Sequence, residues 1–168
     1  VISLVGSEMC IRDRYGRGNS RSVSINKILD NVNEALQNNF KEIVLTGVDL
    51  TSWGKELLGK EYSLGFLVKK ILNEFKTLPR LRVSSIDPAE IDYELMEVLE
   101  YDHRFMPHLH LSIQHGDDLI LKRMKRRHLY RDVINLVNEA RRRRPEITFG
   151  ADIISGFPTE TSQAHRNT

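Results

Sequence analysis

The sequence predicts an α/β chain built on parallel strands. Three observations carry this. Short apolar runs of strand length recur at 41–45, 80–86, 108–113 and 147–154, and the segments between them repeat apolar residues at helical spacing. Each run also ends in a short polar or glycine-containing stretch. Strands separated by helices need crossover connections, which leave neighbouring strands parallel and place every strand end on one rim.

The first helix is read from Ile25, Ile28, Leu29, Val32 and Leu36, behind Ser24 as N-cap. After the Asn38-Asn39 turn, a strand over 41–45 runs into Thr46-Gly47-Val48-Asp49. Leu64, Leu67, Val68, Ile71, Leu72 and Phe75 form one face of a second helix behind Ser63, which stops before Pro79. The next strand is 80–86. Pro88 fits the first turn of a third helix with Ile91, Leu95, Met96 and Leu99 inward. A strand over 108–113 leads into a helix near 118–126. Another helix, at about 130–144, turns Val133, Leu136, Val137 and Ala140 inward and ends at Pro145. The last strand, 147–154, runs into the loop at 155–160.

The rim therefore gathers residues 46–49, 84–87, 112–118 and 152–160. Convergent loops of this kind build ligand sites, with backbone amides for a carboxylate or phosphate and Asp side chains for an amine or ribose. Taken singly, Asp49 and Asp87 read better as caps of the following segments, and Gly156 as a simple turn. Four in register favour a site.

Composition narrows the function classes. A chain of 168 residues suits one domain, and no apolar run approaches the roughly 18 residues that cross a bilayer, so a cytoplasmic location is expected. The single cysteine excludes an internal disulfide framework. Residues 122–144 hold ten Lys/Arg against Asp132 and Glu139, a balance of +8 within a chain of net +2, leaving −6 elsewhere. Such asymmetry points to an anionic partner, the alternative being solvated helix faces. His108, His110 and His115 could suggest a metal site but read better as packing or hydrogen-bonding groups at the rim. Trp53 beside Gly54 reads as a loop anchor rather than a base-stacking platform. No glycine-rich phosphate loop and no serine or cysteine nucleophile motif occurs.

The segments at 15–22 (Tyr-Gly-Arg-Gly-Asn-Ser-Arg-Ser), 45–52 (Leu-Thr-Gly-Val-Asp-Leu-Thr-Ser), 81–87, 108–128 and 150–161 resemble, in unbroken order, the radical S-adenosylmethionine (SAM) methylthiotransferases. The likeness is greatest to the branch that modifies threonylcarbamoyladenosine in tRNA; the branch acting on an aspartate of a ribosomal protein is the alternative. The resemblance implies a partial (β/α) barrel of the radical SAM type, with S-adenosylmethionine and a [4Fe-4S] cluster as cofactors. It also implies addition of a methylthio group to carbon 2 of N6-threonylcarbamoyladenosine beside the anticodon. Carried over by motif, Thr46, Gly47, Val48 and Asp49 contact the methionine part of the cofactor. Ser112 and Gln114 lie near its ribose or carboxylate, and Asp152 and Gly156 near its adenine. Arg17, Arg21, Lys122, Arg123, Lys125, Arg126 and Arg127 are the implied tRNA phosphate contacts.

One departure stands out. The family places C-x3-C-x2-C just ahead of the Tyr-Gly-Arg-Gly motif, because three thiolates hold three irons and leave the fourth open to the cofactor. Aligned on Tyr15, those positions hold Leu4, Glu8 and Ile11, and Cys10 is out of register. Residues 1–14 accordingly read as a segment foreign to the family, of the kind translated adapter sequence produces, joined to a barrel portion over 15–168 that is truncated at both ends. Two functions are thus expected to compete. One is a fragment of a tRNA methylthiotransferase. The other, for this chain as written, is a non-catalytic module binding an adenosyl ligand or RNA.

Overall fold

The computed structural model describes residues 21–55 and 62–168. Its strands are β1 (Ile43–Leu45), β2 (Leu81–Val83), β3 (His108–Gln114) and β4 (Thr148–Ile153). The helices are α1 (Ile25–Gln37), α2 (Leu64–Glu74), α3 (Tyr93–Tyr101), α4 (Asp118–Arg123), α5 (Tyr130–Arg143) and α6 (Ser162–Arg166), with single 3-10 turns at Leu50–Ser52 and Pro88–Glu90. The α/β class and the parallel pairing follow the alternation in the sequence.

The strands do not form one continuous ladder. β1 pairs with β2, and β3 with β4, each in parallel, while β2 and β3 meet only through the bridges Leu81 to Phe105 and Ile86 to Leu111. The reason lies in how the 81–86 segment divides its hydrogen bonds. The Ser84 amide donates to the Leu45 carbonyl, whereas Ile86 donates to the His110 carbonyl and accepts from the Ser112 amide. Serving both neighbours in alternation shortens the strand expected over 80–86 to three residues.

Side-chain alternation gives the sheets two unlike faces. Leu81, Val83, Leu109 and Leu111 point into the apolar layer and are buried with Val68, Ile71, Leu95, Leu99 and Ala140 of the covering helices. Burying each such aliphatic side chain contributes about 2 kcal/mol. The opposite face carries Val44, Arg82, His108, His110, Ser112 and Asp152, none of them buried.

Local chemistry sets the helix ends. Ser63 caps α2 as predicted, its hydroxyl accepting from the Phe66 amide at 3.0 Å. Ser24 occupies the N-cap of α1 but makes no side-chain cap bond. Pro88 does not open the third helix. It starts the 3-10 turn capped by Asp87, and α3 begins at Tyr93 behind Asp92, so Ile91 lies between the two elements. Asp92 serves two helices at once: one carboxylate oxygen accepts from Leu95 of α3 and the other from Gly65 of α2. Trp53 is an anchor as expected, 8% exposed, with its indole N–H donating to the Val23 carbonyl at 2.9 Å.

Two arginines close the far side of the core. Arg104 donates to the carbonyls of Leu72 and Phe75 at the end of α2. The buried Arg144 donates through Nη1 to Leu99, Asp102 and Phe105 at the end of α3. Carbonyls past a helix end lack intrahelical donors, and a guanidinium supplies them.

Candidate functional site

The loops after β1 and β2 meet, together with Ser112 of β3 and the segment after α4, around a cavity of about 300 Å³. Val48, Asp49, Leu50 and Thr51 come from the first loop, Ser85 and Asp87 from the second, Ser112 from β3, and Lys125, Arg126 and Arg127 from the last. Parallel strands ending on one rim produce this convergence.

Asp87 is the hub. One carboxylate oxygen accepts from the Ala89 amide at 3.0 Å and lies 3.4 Å from Nδ1 of the fully buried His128. The other accepts from Arg126 at 3.1 Å. Arg126 also donates to the Ser112 carbonyl at 2.7 Å, and His128 Nε2 sits 3.1 Å from the Ile113 carbonyl. Asp87 thereby acts as a cap and as a rim group, joining the loop after β2 to the end of β3. Arg126 Nε is buried and has no partner. A left-handed Lys125, at φ 57°, ends α4 and swings Arg126 and Arg127 back over the rim.

A second network closes the mouth. Glu90 accepts from the Thr51 hydroxyl at 2.8 Å and from Lys55 at 3.3 Å, and pairs with Arg127, which lies 4.0 Å from Asp49. Burial opposes ionisation of Glu90, but the Thr51 bond and the charges of Arg127 and Lys55 outweigh it and hold its pKa below the ordinary carboxylate range. A depressed folded pKa adds stability that is fully present above the unfolded value near 4.5 and lost as pH falls through the folded one. The urea midpoint should therefore drop between pH 6 and pH 3 by less in Glu90→Gln than in the parent chain.

The residues named from sequence are not all brought together. Val48, Asp49, Ser112, Lys125, Arg126 and Arg127 share the cavity. Thr46 lines a separate apolar groove with Val32 and Trp53, and Gly47 is exposed beside Leu50. Gln114 takes a left-handed φ of 69° where β3 and β4 slip register. Asp152 is 3.9 Å from His110 Nε2, whose Nδ1 bonds the Ser85 hydroxyl at 2.9 Å. Gly156, at φ 77°, makes a turn whose amide donates to Glu160. Arg123 donates to Thr159 and is tied to that same loop. Lys122 and Arg21 face solvent, and Arg17 and Cys10 lie outside the described residues.

The basic run is much less free than its count implies. Arg142 and Arg143 pair with Glu139, Arg143 also with Glu100, and Arg144 is buried on carbonyls. Glu90 and His128 join the site without having been singled out for it, whereas Ser85 and Asp87 belong to the 84–87 stretch expected at the rim.

The chain is 50% identical over 154 residues to a threonylcarbamoyladenosine tRNA methylthiotransferase of Rickettsia prowazekii, covering 92% of this chain and 36% of the relative. It is 36% identical over 157 residues to the protein of that name from Aquifex aeolicus, covering 92% and 37%. A tRNA-2-methylthio-N(6)-dimethylallyladenosine synthase of Halalkalibacterium halodurans is 34% identical over 154 residues, covering 92% and 28%. The chain thus spans about a third of the length of the curated relatives it matches. The model of the radical SAM superfamily matches residues 8–168, nearly the whole sequence, and the chain belongs to that superfamily.

Proposed function

We propose that residues 15–168 are the central portion of a partial (β/α) barrel in a tRNA methylthiotransferase, and that the rim cavity takes S-adenosylmethionine. The observation that carries this reading is the meeting of two successive strand-end loops and Ser112 of β3 around one polar cavity of about 300 Å³, with a partnerless buried Nε of Arg126 on its wall. The donor set suits an amino-acid zwitterion: Asp49 and Asp87 for the ammonium group, Arg126 and Lys125 for the carboxylate. Ser85 and Ser112 supply hydroxyls to the adenosyl part.

The superfamily also implies a [4Fe-4S] cluster, whose role is to reduce the bound cofactor. The residues present do not fit it. Such a cluster needs three thiolates, and the sequence holds one cysteine, Cys10. Among the described residues no group of three or more His, Cys, Asp or Glu stands close enough to hold a metal. This polypeptide carries the ligand rim without the cluster ligands, so its own residues bind and orient the cofactor but do not reduce it. For the chain taken by itself, the lone cysteine favours a non-catalytic adenosyl-binding module.

For the parent enzyme, the substrate is threonylcarbamoyladenosine in tRNA, with carbon 2 of the adenine as the acceptor. The 50% identity to the Rickettsia relative against 34% to the dimethylallyladenosine relative supports this choice. A tRNA substrate entails a cytoplasmic site of action. Arg17, Arg21 and Lys122 are the phosphate contacts we favour, Lys122 having no acidic partner among the described residues.

Two measurements test the reading. Calorimetric titration of the chain with S-adenosylmethionine should show binding, weakened about tenfold, or about 1.4 kcal/mol, by Asp49→Asn. Residues 15–161, grafted in place of the matching segment of the Rickettsia relative, should restore 2-methylthio-threonylcarbamoyladenosine to the tRNA of cells lacking it. Unmodified tRNA from a stably expressed graft would count against the proposal.

A further inference from the structure

The loop after β4 is held by a group the rim cavity does not use. The Glu160 side chain is 5% exposed, and one of its oxygens accepts from the amides of Gly156 and Phe157 at 2.6 and 2.9 Å. Its other oxygen lies 3.5 Å from Nε2 of His115 and 3.0 Å from Nδ1 of His165. Desolvation opposes its ionisation, but the Phe157 and Gly156 amides and the two imidazoles prevail and keep its pKa below the usual range. The turn at Gly156 is therefore built around a carboxylate.

His115 is the other half of the link. It belongs to the loop after β3 and is 1% exposed. Its Nδ1 accepts from the Asp117 amide at 3.0 Å, which leaves Nε2 as the protonated nitrogen, facing Glu160. The Thr168 hydroxyl lies 3.0 Å from Nδ1 and 3.3 Å from Nε2. Asp117 in turn caps α4 through the Leu119 and Ile120 amides and accepts from Asn167 at 2.7 Å. The charged and titratable groups around the pair are thus Asp117 on the β3 side and His165 on α6.

We propose that His115 and Glu160 are positioning residues that couple the loop after β3 to the Gly156–Phe157 turn, so that both strand ends present their ligand contacts as one unit. The geometry supports this in three ways. The carboxylate and the imidazole are both shielded from water, where such a link is strongest. Each also shapes its own loop through backbone amides, so neither can move without moving the loop. Finally, β3 and β4 lose register between Leu111 and Gln114, so the ladder is irregular on the approach to these loops. Neither residue touches the rim cavity, and both act through the turns they hold. The proposal rests on the reading of the Gly156 turn as part of the adenosyl site.

Substitutions at His115 separate coupling from simple packing. His115→Gln keeps a donor at the Nε2 position, and His115→Asn keeps an acceptor at the Nδ1 position. The test reads amide hydrogen exchange at Gly156 and Phe157 by NMR, with S-adenosylmethionine affinity by calorimetry, on the full chain. His115→Asn should raise exchange at the two amides at least tenfold and weaken the cofactor at least fivefold, with His115→Gln close to the parent. Unchanged exchange in His115→Asn, or equal losses in both variants, overturns the coupling. Parent protein that binds no S-adenosylmethionine refutes the adenosyl reading instead, and the exchange at Gly156 and Phe157 still decides whether His115 holds the turn.

Discussion

Anaerobic reconstitution of the 168-residue chain with ferrous iron and sulfide should yield no four-iron cluster, whereas the triple variant Leu4→Cys, Glu8→Cys, Ile11→Cys should bind close to four irons per chain. The argument is one of ligand count. A thiolate cluster of the superfamily type takes three sulfur ligands from the protein, and the spacing C-x3-C-x2-C places them on one tight loop. Cys10 alone offers one, in a position that matches none of the three. Iron and acid-labile sulfide analysis, with the visible charge-transfer band, reads the outcome. Formation of 5′-deoxyadenosine by the variant after addition of a reductant gives a second readout. A stoichiometric cluster in the unaltered chain would show that residues 1–14 are read wrongly.

Gly65→Ala should be the most destabilising single methyl addition in the described core. A Cβ there would run into the Asp92 carboxylate and the Leu95 amide, which are the N-terminal cap of α3. Backbone cannot yield as the far end of a flexible side chain can, so α2 and α3 must separate. The bond from the Gly65 amide to Asp92 would also be lost. Overpacking of this kind costs about 1–3 kcal/mol and an orphaned buried donor about 1–2 more. For a chain of this size a loss of about 3 kcal/mol lowers Tm by roughly 6–12 °C. Gly47→Ala is the matched control, because its Cβ would meet Leu50 at an ordinary 3.7 Å. Scanning calorimetry on both should give a large shift for one and under about 2 °C for the other.

How much of this was legible in the sequence depends on range. The strand and helix order was, because period-two and period-3.6 patterns are local, and so were the Ser63 cap and the stop before Pro79. The meeting of the loops after β1 and β2 beside β3 was also legible, since parallel strands carry their ends to one side. What failed were matters of pairing across distance. The +8 stretch looked like a phosphate footprint, yet Arg127 finds Glu90 37 residues away and Arg143 finds Glu100 43 residues away. Nothing at the positions of those arginines records such partners. Arg144 is the clearest case: its three carbonyl acceptors lie 39 to 45 residues upstream and are main-chain atoms, invisible in any pattern of residue types. The buried His128 was likewise hidden, because a histidine beside arginines reads as part of a solvated run until Asp87 is brought against it.

The two unlike faces of the strands have a consequence for how the molecule avoids its neighbours. A face bearing Arg82, His108, His110, Ser112 and Asp152 beside the exposed Val44 cannot be roofed by an apolar layer without stripping water from charged and polar groups, at a cost of several kcal/mol. A stray hydrophobic segment, or the helix side of another copy, therefore gains little by stacking there. The same polar wall keeps open strands in a crowded solution from being sealed by the wrong surface.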